Sequence, residues 1–123
     1  MALASHPAHQ LVDVTVRRSR IDGFGVFAHA AVPALTKLGE LTGEAVTVAE
    51  GRRRAQGRAR IMLVELSASR AVDATRSTDP MRFTNHSCRP NARIQVEAGA
   101  IEFFTLRDIQ ADEEITVGDR ADP

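Results

Sequence analysis

Ten residues in this chain carry more chemistry than a hydrophobic core requires: RFTNHSCRPN, residues 82–91. Seven of them hold two amides, Asn85 and Asn91, with an imidazole (His86), a hydroxyl (Ser87) and a thiol (Cys88) between. Asn85 offers a donor and an acceptor on one side chain, and His86 offers ring and backbone groups. The string therefore suits a polar pocket that reads the hydrogen-bonding edges of a ligand. Each residue alone also has an ordinary use, since Asn, Ser and Cys stabilise tight turns and a single histidine is commonly just buried. As a string they favour a ligand. Asp79-Pro80 upstream reads as a helix start, with Asp as cap and Pro at the first helical position. That puts Arg82 and Phe83 on one helical turn and leaves residues 85–91 as irregular chain facing the ligand.

The elements that must position this string are mostly strands. After an unpatterned lead-in, residues 1–10, LVDVTVRRS alternates apolar and polar residues as a half-buried strand does. A turn with two glycines flanking Phe24 follows, and then GVFAHAAV as a second strand closed by Pro33. KLGELTGEAVTV supplies another strand pair, broken by Gly39 and Gly43, and residues 49–56 are the best short helix. RIMLVELSASRAVDA reads as a hairpin, ARIQVEAGAIEFFTL as a clearer one, and EEITV as a last strand. Many short strands and little helix predict a mostly β domain.

At 123 residues the chain is the size of one domain, here residues 11–123 behind the lead-in. Sixteen basic residues balance sixteen acidic ones at a pI near 6.9, so no global field draws the protein to nucleic acid or an anionic membrane. The dense basic cluster GRRRAQGRAR, residues 51–60, could hold an anionic ligand, but a solvated helix face is the weightier reading. A nucleic-acid partner is therefore not expected. One cysteine excludes an intrachain disulfide and a multi-cysteine zinc site, and no cluster has metal-ligand spacing. His6, His9 and His29 are expected at the surface. With no signal peptide and no apolar run of membrane length, the expected setting is the reducing cytoplasm.

Five blocks, in order, resemble the SET domain, the fold of one class of protein-lysine methyltransferases. They are GFGVFA (residues 23–28), ELTGE (40–44), VDAT (72–75), RFTNHSCRPN (82–91) and LRDIQADEEIT (106–116). The resemblance implies several small curved sheets and a C-terminal segment threaded under a preceding loop, a pseudoknot joining residues 85–91 to EEIT. It implies S-adenosylmethionine as cofactor, held by Gly23, Phe24, Gly25, Arg82, Phe83, Asn85 and His86. The two glycines would let backbone N–H groups approach its carboxylate, Asn85 would bond its amino-acid end, and His86 would meet the adenine through its backbone. Cys88 would be a small packing residue at the crossing, and Asp73 and Glu114 structural groups bridging it. The implied reaction is N-methylation of a lysine on a protein, such as a histone-like or other basic protein. A homodimer is a compatible assembly.

The sequence departs from the family pattern at its tyrosines, for it has none. The family positions are occupied by Leu41, Val117 and, without a gap, Asp119. In-line transfer to an amine needs oxygen acceptors around the nitrogen. Two readings follow: a minimal methyltransferase using other oxygens, or a SET-fold protein without turnover that binds S-adenosylmethionine, a peptide or a partner subunit.

Overall fold

The computed structural model describes residues 10–57, 63–97 and 100–118. Among the described residues, ten strands and one helix run in the order β1 (Val14–Arg18), β2 (Phe24–Ala28), β3 (Lys37–Leu41), β4 (Glu44–Thr47), α1 (Val48–Ala55), β5 (Leu63–Glu65), β6 (Arg70–Asp73), β7 (Asn85–His86), β8 (Ala92–Glu97), β9 (Ala100–Thr105) and β10 (Glu114–Val117). A 3-10 turn, Pro80–Phe83, precedes β7. The mostly β expectation is borne out.

Strict alternation builds the central hairpin. In β9 the buried residues are Ile101, Phe103 and Thr105, every second position, and β8 pairs with it in register from Ala92↔Thr105 to Glu97↔Ala100. β10 differs, because Ile115, Thr116 and Val117 are all buried. A strand buried on both faces belongs inside a sheet. β10 indeed lies between β2 and β8 in the larger sheet, ordered β1-β2-β10-β8-β9-β3, with β7 also paired to β10. Phe103, Leu38, Leu41, Met81, Ile101 and Ile115 form its fully buried heart, and each such side chain contributes on the order of 1.5–3 kcal/mol by leaving water.

The second sheet is small, ordered β4-β6-β5. Its β5–β6 hairpin matches the expectation from RIMLVELSASRAVDA, and the turn closes through Leu66 N donating to Arg70 O at 2.8 Å. KLGELTGEAVTV does form two strands, but they do not pair with each other: β3 joins β9 and β4 joins β6, so this stretch passes between the sheets. Gly43 makes the passage possible, since a Cβ there would lie 2.5 Å from Asp73 O and 2.9 Å from Ala74 Cα. Gln10, the last residue of the expected lead-in, is buried and bridges Gly39. Residues 1–9, with His6 and His9, lie outside the described residues.

The arginine cluster falls on α1. Thr47 caps the helix, its hydroxyl accepting from Glu50 N at 3.0 Å. Arg52 pairs with Glu65, Arg53 with Glu50, and Arg54 with Glu44, Glu50 and Asp73. Arg58 and Arg60 lie outside the described residues. The three described arginines are thus committed to carboxylates, which supports the solvated-face reading.

These pairs set an acid limit. Hydrogen bonds from Arg53 and Arg54 hold the Glu50 carboxyl at about 2, against an ordinary 4.5. Glu44, Glu65 and Glu113 are lowered by their arginine partners. Burial pushes the Asp73 carboxyl up, but Thr75 and Arg54 outweigh it and leave it below its ordinary value. Because each pKa is lower folded than unfolded, the stability these pairs lend is complete above about pH 4.5 and fades as pH falls toward about 2. The melting temperature should be flat between about pH 7 and 5 and fall steadily below about 4. Arg54→Met should melt lower at neutral pH and show a shallower acid slope. An unchanged slope would remove the Arg54 pairs from the account.

Candidate functional site

Asn85 is the hinge of the site. Its Nδ2 donates to Asp22 O (3.1 Å), Phe24 O (3.0 Å) and Glu114 Oε2 (3.0 Å), so three chain segments meet on one amide group. Glu114 is fixed from the other side by the Ser19 hydroxyl, at 2.8 and 2.9 Å from its two oxygens. Ser19 was not among the expected site residues. Its only local signal was a polar residue before a turn, and its partner is 95 positions away.

β7 corrects the expectation that residues 85–91 are irregular throughout. Asn85 and His86 pair in parallel with Thr116 and Val117 of β10, and Ser87 N donates to Val117 O at 3.0 Å. Asn91 completes the seam from within the core, only 3% exposed. Its Nδ2 donates to Glu114 O at 2.7 Å and its Oδ1 accepts from Thr116 N at 2.9 Å, so one amide stands in for a neighbouring strand. Residues 85–91 are thereby fastened to EEIT, as expected. Glu114 lies at this seam. Asp73 does not: it sits on β6 and binds Arg54. Cys88 is exposed, which rules out its expected packing role.

Beside the seam opens a cleft of about 410 Å³, a size that suits a small organic ligand. Phe24, Arg82, Phe83, Asn85 and His86 of the expected binding set line it. Phe24 meets Phe83 edge-on, centroids 6.2 Å apart at 67°, and the Arg82 guanidinium lies 4.0 Å over the Phe83 ring. Among the described residues Arg82 has no carboxylate partner, so its charge is available at the cleft. His86 is exposed at the rim.

Gly23 and Gly25 are not in the lining. Gly23 has φ 44°, which suits a residue without Cβ, and its carbonyl closes the turn by accepting from Ser19 N at 2.8 Å. Gly25 is buried, and a Cβ there would collide with the Glu114 carboxylate. Its smallness serves Glu114, in place of the expected approach to a ligand.

Leu41 and Val117, at the family's tyrosine positions, both line the cleft and are 1% and 2% exposed. Asp119 lies outside the described residues. With Met81, Ile94 and Phe103 they make the inner wall apolar, while Asp22, Thr75 and Thr84 bring oxygen to it. Thr75 was quoted in the VDAT block but given no role.

Comparison with known proteins accounts for this arrangement. The family model described as SET domain matches residues 23–118. A Cryptococcus neoformans protein named histone-lysine N-methyltransferase, H3 lysine-36 specific, is 33% identical over 116 residues, spanning 87% of this chain and 14% of its own length. An H3 lysine-4 specific histone-lysine N-methyltransferase of Debaryomyces hansenii is 35% identical over 112 residues, spanning 84% and 10%. Histone-lysine N-methyltransferase ASHH1 of Arabidopsis thaliana is 38% identical over 78 residues, spanning 59% and 16%. The chain thus corresponds to about a sixth or less of the length of each of these relatives. With the matched region taking in the Asn85 hinge, the glycine turn and the β7–β10 seam together, the chain belongs to the SET domain family.

Proposed function

We propose that this domain is an S-adenosylmethionine-dependent protein-lysine N-methyltransferase. The observation that carries the reading is the convergence of Asp22 and Phe24, the Arg82–Phe83 stack and the Asn85 hinge on one cleft whose inner wall is apolar.

The residues suit the cofactor. Asn85 Nδ2 is committed to three acceptors, which leaves Oδ1 to accept from an ammonium group. Arg82 is placed to meet a carboxylate, and Phe24 and Phe83 offer flat apolar surface to a purine or thioether. Together they match an amino acid joined to a nucleoside. The cofactor supplies an electrophilic methyl group on a sulfonium.

The chain's own contribution lies deeper. Leu41, Phe103 and Val117 surround the inner cleft with hydrocarbon, which disfavours a charged ammonium and favours the neutral amine required as nucleophile. Thr75 and Thr84 supply side-chain oxygens where the family uses tyrosine. The relatives' names support a lysine on a basic, histone-like protein as substrate.

Calorimetric titration with S-adenosylmethionine and S-adenosylhomocysteine tests the reading. Saturable one-site binding of both is expected. A folded protein that binds neither would refute it.

A further inference from the structure

A second cleft, about 790 Å³ and polar, lies against the small sheet and α1, lined by Arg53, Arg54 and Asp73 among others. Thr75 lines both clefts. Its backbone N–H donates to Asp73 Oδ1 at 3.0 Å, and its side chain helps to hold the Asp73 carboxyl below its ordinary value. Asp73 Oδ2 in turn receives Arg54 Nη1 at 3.0 Å. One hydroxyl and one carboxylate therefore span the wall between an apolar cleft and a polar one.

We propose that Thr75 and Asp73 form the route by which the substrate ammonium loses its proton before methyl transfer. This rests on the methyltransferase reading. A lysine entering the inner cleft arrives mostly as ammonium, and the hydrocarbon of Leu41, Phe103 and Val117 disfavours that charge, so its proton must leave. The Thr75 hydroxyl accepts and donates at once. An N–H bond of the ammonium breaks as an O–H bond forms on Thr75 Oγ1. The proton that Thr75 held passes to an Asp73 oxygen, and Asp73 gives it to water in the second cleft. The electron pair stays on nitrogen, and no oxidant or reductant is needed.

The surroundings of Asp73 suit a carrier that releases its proton. Arg54 reaches it from α1, and Glu44 lies opposite it on β4. Glu50 shares Arg54, and Arg53 and Arg76 line the same cleft. Its carboxyl is held below its ordinary value by Thr75 and Arg54 despite burial, so a proton taken up near neutral pH is quickly lost.

Thr75→Val keeps the shape and removes the hydroxyl, and Thr75→Ser restores it. With purified core histones and radiolabelled S-adenosylmethionine, Thr75→Val should lower kcat by about 10–100-fold near pH 7, as removal of a proton-transfer group does. Its KM for histone and its cofactor Kd should stay near wild type. Activity should recover as pH rises, when free amine no longer needs the route, and Thr75→Ser should follow the wild-type profile. Without any substrate, the NMR-monitored titration of Asp73 should shift to higher pH in Thr75→Val and return in Thr75→Ser. Wild-type turnover at every pH in Thr75→Val, or an unmoved Asp73 titration, would overturn the route and leave the methyltransferase reading standing. A wild type that binds no cofactor and methylates nothing would overturn both.

Discussion

Replacing Asn91 with alanine should destabilise the domain by about 2–5 kcal/mol and lower its melting temperature by roughly 10–20 °C. Asn91 is 3% exposed, and its amide pairs the carbonyl of Glu114 and the N–H of Thr116. Alanine leaves both groups unpaired beside the core, and each such loss costs about 1–3 kcal/mol. Asn91→Asp is no rescue, because a carboxylate would face Glu114 O and the nearby Glu113. Urea and thermal unfolding would measure the loss. A change under about 0.5 kcal/mol would show that the seam is held by something other than this amide.

Cofactor affinity should fall about 10–100-fold in Asn85→Ala, with much smaller loss of stability, since hydrogen bonds to a charged group contribute about 1.5–3 kcal/mol. Asn85 is only half-buried, so water can reach some of the groups it leaves. Two effects combine: the acceptor for the ligand's ammonium goes, and the carbonyls of Asp22 and Phe24 lose their tie. Gly25→Ala should give a similar loss while leaving Asn85 in the chain. Its Cβ would displace the Glu114 carboxylate that Asn85 and Ser19 hold. Calorimetry on both variants is the check. Unchanged affinity in Asn85→Ala would place the ligand's amino-acid end elsewhere.

The parts of this fold legible in the sequence are those whose cause is local. Alternation along residues 100–105 gives β9 because one face is core and the other is not. The β5–β6 and β8–β9 hairpins follow from short turns between such runs. Pairing across the chain leaves no such trace. β3 and β4 are adjacent in sequence but pair with two different strands far along the chain, β9 and β6. β7 is two polar residues long and is a strand only because β10 runs beside it.

The site shows the same division. Phe24, Arg82, Phe83, Asn85 and His86 were legible because they stand in one motif or beside one turn. Gly25 was legible as a required glycine but not for its reason, which is a carboxylate 89 positions later. Ser19, Thr75 and the Asp73–Arg54 pair were not legible as parts of the site. A serine before a turn and an arginine on a helix face carry no local signal of the carboxylates they meet.

The most direct test of the central claim is methyl transfer itself, followed by intact-protein mass spectrometry of core histones incubated with S-adenosylmethionine and the wild-type domain or Asn85→Ala. Methyl-group mass increments on lysine are expected with the wild type, strongly reduced with the variant. Cofactor binding without any increment on histones, peptides or the protein itself, across neutral and alkaline pH, would contradict that claim and leave a SET domain that binds without turnover.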